Sequence, residues 1–162
     1  MYSRILVPLE HSPTDACILA HVRGLSRMCG ASLVLMHVAD GWAARNIRHL
    51  NLRESEEMKS DRAYIEREAA KLEAEGFEAD AVLATGDPAT EIAAAAEREG
   101  CELIAMSTHG HKFLSDLFRG SVANEVRHQT MIPVLLVRAG ADQSVCDPAD
   151  EAAPERAARS LR

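Results

Sequence analysis

The residues best suited to chemistry form a glycine-rich segment in the last third of the chain. Gly110 is followed, after nine intervening residues, by Gly120 and Ser121. Glycines let the backbone approach a phosphate closely, and free N–H groups at the start of a helix stabilise its negative charge. Ser121 adds a hydroxyl donor. The pattern indicates a phosphate site, although a glycine at a turn and a Gly-Ser helix start are also common for structural reasons alone.

The chain needs regular elements that hold this segment at an accessible edge. Five apolar runs alternate with helical patterns, which predicts a parallel β-sheet. Right-handed crossovers between such strands place helices on both faces and leave a crevice at the carboxyl ends of the strands. The sequence therefore predicts a single doubly wound α/β domain with a five-stranded parallel sheet. The runs are Arg4–Leu9, Ser32–Val38, Phe77–Leu83, Leu103–Met106 and Pro133–Val137.

Helices are predicted between the strands from capping signals and apolar stripes. Ser12 and Pro13 have the types expected of a side-chain cap and a first helical residue, and Asp87 and Pro88 repeat this signal later in the chain. The predicted helices span about 12–29, 52–75, 87–99 and 121–129. The last of them begins at the glycine-rich segment.

Two strands are expected at the margins of the sheet. Most runs are almost continuously apolar, as strands covered on both faces must be, whereas residues 77–81 alternate between apolar and polar types. The last run is short and apolar, and an exposed edge strand tends to pair with another chain. These patterns predict a homodimer through Pro133–Val137.

His37 lies inside the second apolar run. A histidine in such a position is more commonly hydrogen-bonded at the core or its rim than a ligand-binding group. We therefore expect His37 to have hydrogen-bonded partners within the fold.

Composition excludes several classes of protein. The chain has 162 residues, enough for one domain with its own core, and a formal net charge of -7. The 25 acidic residues outnumber the 18 basic residues, which argues against a protein that coats nucleic acid or anionic membranes. No stretch approaches the ~20 apolar residues that cross a bilayer. We expect a cytoplasmic protein with no nucleic-acid or membrane partner, and a polar, mobile C-terminal tail at 139–162.

Three stretches around the glycine-rich segment resemble the C-terminal signature of the universal stress protein family. They are Leu103–Gly110, Gly120–Ala123 and Ile132–Val137, and Ile5–Pro8 is similar to the family's first strand. The resemblance covers residues 3 to 138 and implies a universal stress protein domain at 1–138. It also implies a fold like that of the adenine nucleotide alpha hydrolases, with strand order 3-2-1-4-5.

The family's ATP-binding branch has the pattern Gly, two residues, Gly, nine residues, then Gly with Ser or Thr. This chain has Ser107 in place of the first glycine and keeps the remaining positions. Glu10 stands where the family usually has the Asp that contacts the ribose. The resemblance implies ATP, ADP or AMP as ligand, with Mg²⁺ or Mn²⁺ bound through the phosphates. It assigns the phosphates to Gly110, Gly120, Ser121 and the Val122 amide, the ribose to Glu10, and the adenine to Pro8, Val38 and Met106, with Ser107 counted among the nucleotide-binding residues.

The leading hypothesis is a nucleotide-binding regulatory module for stress adaptation, whose bound state is read by an unidentified protein partner. The sequence has a phosphate-binding pattern and no convincing catalytic set, so any ATP hydrolysis should be slow. One alternative is a slow ATPase that uses Glu10, His109 or Ser121. Another is a dimeric interaction protein without nucleotide, which the departures at Ser107 and Glu10 favour.

Overall fold

The computed structural model describes residues 1–39, 56–108 and 121–138. In these ranges the strands and helices alternate along the chain. The five strands form one parallel sheet in the order β3-β2-β1-β4-β5, which confirms the predicted doubly wound fold and its strand order. The elements are β1 Arg4–Pro8, α1 Asp15–Cys29, β2 Ser32–Ala39, α2 Glu56–Ala74, β3 Ala79–Thr85, α3 Pro88–Arg98, β4 Leu103–Thr108, α4 Ser121–Gln129 and β5 Val134–Arg138.

Helices cover both faces of the sheet, because successive strand residues point to opposite faces and nearly all of them are apolar. Each face has its own hydrophobic cluster. The α1/α2 face contains Ile5, Val7, Leu33 and Leu35 with Ile18, Val22 and Leu72. The α3/α4 face contains Leu6, Val34, Met36 and Ile104 with Ile92, Ala95 and Val126.

The start of α1 differs from the prediction. The helix begins at Asp15, and its N-cap Thr14 makes no side-chain capping hydrogen bond. Ser12 and Pro13 precede the helix, so their predicted roles as cap and first helical residue are wrong. The physical reason is the Asp15 carboxylate, which accepts the Ser12 N–H at 3.1 Å and so stabilises a turn before the helix.

The same signal at α3 is confirmed. The Asp87 carboxylate accepts the Thr90 N–H at 3.0 Å, and Pro88 is the first helical residue. Asp87 therefore caps this helix as its sequence position predicts.

The third strand lies slightly later than predicted, at Ala79–Thr85 rather than 77–83. The Phe77 N–H donates to the Leu72 carbonyl oxygen at 3.0 Å, so Phe77 belongs to the turn after α2. β3 and β5 lie at the two edges of the sheet. Both predicted margins are confirmed.

Some predictions fall on parts of the chain that the structure does not describe. The expected tail at 139–162 lies outside the described residues, as do Gly110 and Gly120 of the glycine-rich segment. Within the described ranges, no helix has the length and apolar character needed to cross a membrane.

Candidate functional site

The carboxyl ends of β1 and β4 are not paired with each other. The register between these two strands ends at Leu6 and Ile104. By contrast, β1 stays paired with β2 through Pro8, and β4 stays paired with β5 through Thr108. The direction of winding also reverses between β1 and β4. An opening at such a switch point is where open α/β sheets bind ligands.

Apolar side chains from three elements belong to one hydrophobic cluster on the face of the sheet beside this opening. Val38 near the end of β2, Met106 in β4 and Val122 in the first turn of α4 belong to the α3/α4-face cluster. Met106 is buried and the two valines are half-buried. Pro8, the half-buried last residue of β1, follows Leu6 by two positions and so lies on the same face. We call Val38, Met106 and Val122 the apolar wall.

The loop after β1 carries Glu10, which is exposed. The Glu10 N–H donates to Asp15 Oδ1 at 3.1 Å. The other oxygen of Asp15 accepts the Ser12 N–H at 3.1 Å and the Tyr64 hydroxyl at 2.8 Å. Burial, followed by the hydrogen bond to Asp15, raises the pKa of Tyr64 above its ordinary value, so this hydroxyl remains a donor. One carboxylate that is only 1% exposed therefore holds the loop in place.

Two histidines share a second carboxylate next to this loop. His11 Nδ1 lies 2.9 Å from Asp61 Oδ1, and His37 Nε2 lies 3.4 Å from Asp61 Oδ2. The His11 ring stacks on Tyr64 with centroids 4.1 Å apart, and His37 Nδ1 lies 2.8 Å from the Leu9 carbonyl oxygen. His11 also has φ of 58°, a conformation that side-chain-bearing residues rarely adopt. The expectation that His37 has hydrogen-bonded partners is confirmed.

Most of the predicted binding residues lie at the carboxyl edge of the sheet. Ser107 is half-buried near the end of β4, and Ser121 is the first residue of α4. Gly110 and Gly120 lie outside the described residues. Those that the structure locates at this edge are Pro8, Glu10, Val38, Met106, Ser107, Ser121 and Val122.

This edge is organised by three residues whose role was not predicted from the sequence: Asp15, Asp61 and Tyr64. A signal for Asp61 was present, since it falls between Met58 and Ile65 on the buried stripe of α2. A carboxylate at an apolar stripe position needs a buried partner. Nothing comparable in the local sequence indicates the contact between Tyr64 and Asp15.

The fold and this edge define the protein as an open, doubly wound α/β protein in which β1 and β4 are not paired with each other at their carboxyl ends, at the topological switch point. The sequence profile of the universal stress protein family matches residues 1–138. The chain belongs to the universal stress protein family, as the resemblance of its glycine-rich segment predicted.

Similar proteins support this assignment. The universal stress protein MJ0577 of Methanocaldococcus jannaschii is 30% identical over 158 residues, covering 85% of this chain and 96% of the relative. The solved structure of MJ0577 superimposes with a TM-score of 0.73 at 29% identity, over 88% of this chain and 99% of that one.

Two more distant structures share the fold and contain nucleotides. A universal stress protein in complex with cAMP has a TM-score of 0.62 at 16% identity, over 86% of this chain and 98% of that one. The universal stress protein of Archaeoglobus fulgidus in complex with dAMP has a TM-score of 0.62 at 18% identity, over 83% of this chain and 97% of that one.

Proposed function

We propose that this protein binds an adenine nucleotide, ATP, ADP or AMP, in the crevice between β1 and β4 and acts as a nucleotide-dependent regulatory module. The observation that carries the proposal is the apolar wall, Val38, Met106 and Val122, beside the ends of β1 and β4 that are not paired with each other. A purine base has flat apolar faces that suit such a wall. The cAMP and dAMP complexes of two proteins with this fold support the same ligand class.

Each part of the nucleotide would meet a different chemistry. The base packs on the apolar wall, and the exposed carboxylate of Glu10 accepts hydrogen bonds from the ribose hydroxyls. The phosphates bind at Gly110, Gly120 and Ser121, aided by the N–H groups at the start of α4, that of Val122 among them. The described residues offer no group of three or more His, Cys, Asp or Glu arranged for a metal ion. Mg²⁺ or Mn²⁺ is therefore proposed to bind through the phosphates.

The regulatory role is proposed because the sequence has a phosphate-binding pattern but no convincing catalytic set. An unidentified protein partner would read whether the nucleotide is bound during stress adaptation.

The test is isothermal calorimetry of the full chain with ATP and Mg²⁺, comparing two glycine variants. Gly120→Val places a side chain in the proposed phosphate site. Gly24→Val is the matched control, because a Cβ at this exposed position of α1 meets nothing within 4 Å. We expect saturable binding by the wild type and by Gly24→Val, and loss of binding in Gly120→Val.

A wild type that shows no saturable heat at millimolar nucleotide contradicts the proposal. That result would favour a nucleotide-free interaction protein, the alternative suggested by Ser107 and Glu10. Equal binding by both variants would show that the phosphates do not bind at the glycine-rich segment.

We also propose that the protein forms a homodimer through Pro133–Val137, a span that the strand β5 largely covers. β5 is an edge strand, and Leu136 is a large apolar residue that is 47% exposed on it. Free backbone groups next to apolar side chains favour pairing with a second copy.

Light scattering at micromolar concentration tests the dimer. Leu136→Lys should shift the mass toward the monomer, whereas Met28→Lys, at a position that is 83% exposed on α1, should not. A wild type with the mass of a monomer would exclude this interface.

A further inference from the structure

The loop that carries Glu10 is short and starts directly at the sheet. The Leu9 N–H donates to the Met36 carbonyl oxygen at 2.7 Å, which continues the pairing of β1 with β2 by one residue. The helix α1 begins at Asp15. Residues 10–14 alone therefore connect the sheet to the helix, and Glu10 is the first of them. The position of its carboxylate depends on what holds this loop.

Tyr64 of α2 acts on this loop through its hydroxyl group. The hydroxyl donates to Asp15 Oδ2 at 2.8 Å. The same carboxylate accepts the N–H groups of Glu10 and Ser12, at 3.1 Å each. Of these three donors, the Tyr64 hydroxyl is the one that comes from another helix. Because a buried carboxylate must be hydrogen-bonded, the Tyr64 contact helps to fix the direction in which Asp15 meets the loop.

The ring of Tyr64 acts on the same loop by a second contact. It stacks on the His11 ring, with centroids 4.1 Å apart and 18° between the ring planes. Asp61, one turn before Tyr64 in α2, places Oδ1 2.9 Å from His11 Nδ1. The backbone of His11 has φ of 58°, which a residue with a side chain keeps only where the surrounding structure enforces it. These contacts from α2 hold His11, the residue after Glu10, in that conformation.

We propose that Tyr64 is a positioning residue for the ribose: by holding residues 10–12 it directs the Glu10 carboxylate at the ribose hydroxyls. It thereby sets how strongly the protein prefers a ribonucleotide to an analogue without those hydroxyls. The inference rests on the proposed binding of an adenine nucleotide. A carboxylate accepts from two hydroxyls only while its oxygens keep the distance and direction of both hydrogen bonds. Glutamate has one more rotatable bond than aspartate, so its carboxylate depends more on a fixed backbone.

The test compares ATP with 2′,3′-dideoxy-ATP by isothermal calorimetry of the full chain in the presence of Mg²⁺. The wild type should bind ATP about tenfold or more tightly than the analogue, because hydrogen bonds to a charged group are lost with the hydroxyls. Glu10→Ala should bring this ratio of affinities close to one. Tyr64→Leu should lower the ratio nearly as far. Tyr64→Phe, which keeps the ring on His11 but lacks the hydroxyl, should lie between Tyr64→Leu and the wild type.

The ratio separates positioning from a general loss of folded protein. Partial unfolding lowers the apparent affinity for both nucleotides by the same factor and leaves their ratio unchanged. Tyr2→Leu is the matched control, because Tyr2 is also a half-buried tyrosine packed against the α1/α2-face cluster but precedes β1, at the opposite edge of the sheet. This control should keep the wild-type ratio. Adding Tyr64→Leu to Glu10→Ala should lower ATP affinity no further. A wild-type ratio in Tyr64→Leu overturns the proposal, whatever the two affinities are.

Amide hydrogen exchange measures the hold on the loop without any nucleotide. In Tyr64→Leu the N–H groups of Glu10 and Ser12 should exchange about tenfold faster than in the wild type, because local opening becomes easier. The Thr90 N–H, which donates to the Asp87 carboxylate at the start of α3, should not change. Unchanged exchange at Glu10 and Ser12 overturns the positioning role.

The two measurements distinguish failure of this inference from failure of the proposed function. A wild type that binds ATP and the dideoxy analogue equally well leaves nucleotide binding in place but overturns the ribose role of Glu10 and Tyr64. If the wild type binds neither nucleotide, the proposed function fails and the ribose role fails with it, while hydrogen exchange still decides whether Tyr64 holds the loop.

Discussion

Removing the Asp15 carboxylate should cost far more stability than an ordinary helix-start substitution. The carboxylate accepts the N–H groups of Glu10 and Ser12 and the hydroxyl of Tyr64, at 3.1, 3.1 and 2.8 Å. Asp15 is 1% exposed, so Asp15→Ala leaves these donors without their acceptor. Hydrogen bonds to charged groups contribute about 1.5–3 kcal/mol each. Because water can reach part of the loop and such terms do not add fully, we expect a net loss of about 3–5 kcal/mol.

Urea unfolding at about pH 7 measures this loss. Tyr64→Phe removes one of the three donors and should cost about 1–2 kcal/mol. The control is Glu75→Gln, which weakens the exposed pair with Arg23 and should cost less than about 1 kcal/mol. If Asp15→Ala lies within about 1 kcal/mol of the wild type with an unchanged urea slope, the carboxylate does not organise this loop.

Three further predictions follow from other features of the structure. Leu6→Ala empties a site that is 0% exposed at the centre of the sheet and should cost about 2–5 kcal/mol in urea unfolding; a loss below about 1 kcal/mol would contradict the packing. The hydrogen bond from Arg23 lowers the pKa of Glu75 below 4.5. The wild type should therefore be more stable than Glu75→Gln above pH 4.5, and this advantage should disappear as the pH falls further. An equal difference in unfolding free energy at acid and neutral pH would refute this. In an alkaline absorbance titration of the native protein, one of the two tyrosines should ionise above the ordinary tyrosine range, and Tyr64→Phe should remove that step; its persistence would assign the step elsewhere.

The fold was predictable because its signals are local. The strands are apolar runs, and α2 has the predicted stripe of Met58, Ile65, Ala69 and Leu72. The Asp87 cap was also predictable, since its acceptor and donor are only three residues apart. In each case the residues that decide the structure lie close together in sequence.

The organisation of the candidate site was not predictable in the same way. The resemblance assigned Val38, Met106 and Val122 to the site, and the structure brings these side chains into one cluster. The contact between Tyr64 and Asp15 spans 49 residues and that between Asp61 and His11 spans 50. Neither pairing has a local pattern, because each depends on how α2 packs against β2 and β3, beside the loop that follows β1. The sequence also suggested Ser12 as a cap, whereas the structure uses Asp15, which the distant Tyr64 hydroxyl also contacts, to hold the preceding turn.

Methionine methyl NMR tests the central claim most directly, because the chain carries its own control. Met106 belongs to the apolar wall, whereas Met28 is 83% exposed on α1. On titration with ATP and Mg²⁺, the Met106 methyl signal, assigned with Met106→Leu, should shift in a saturable way through the ring current of the base, and the Met28 signal should stay in place. A Met106 signal that does not move at millimolar ATP would contradict the account.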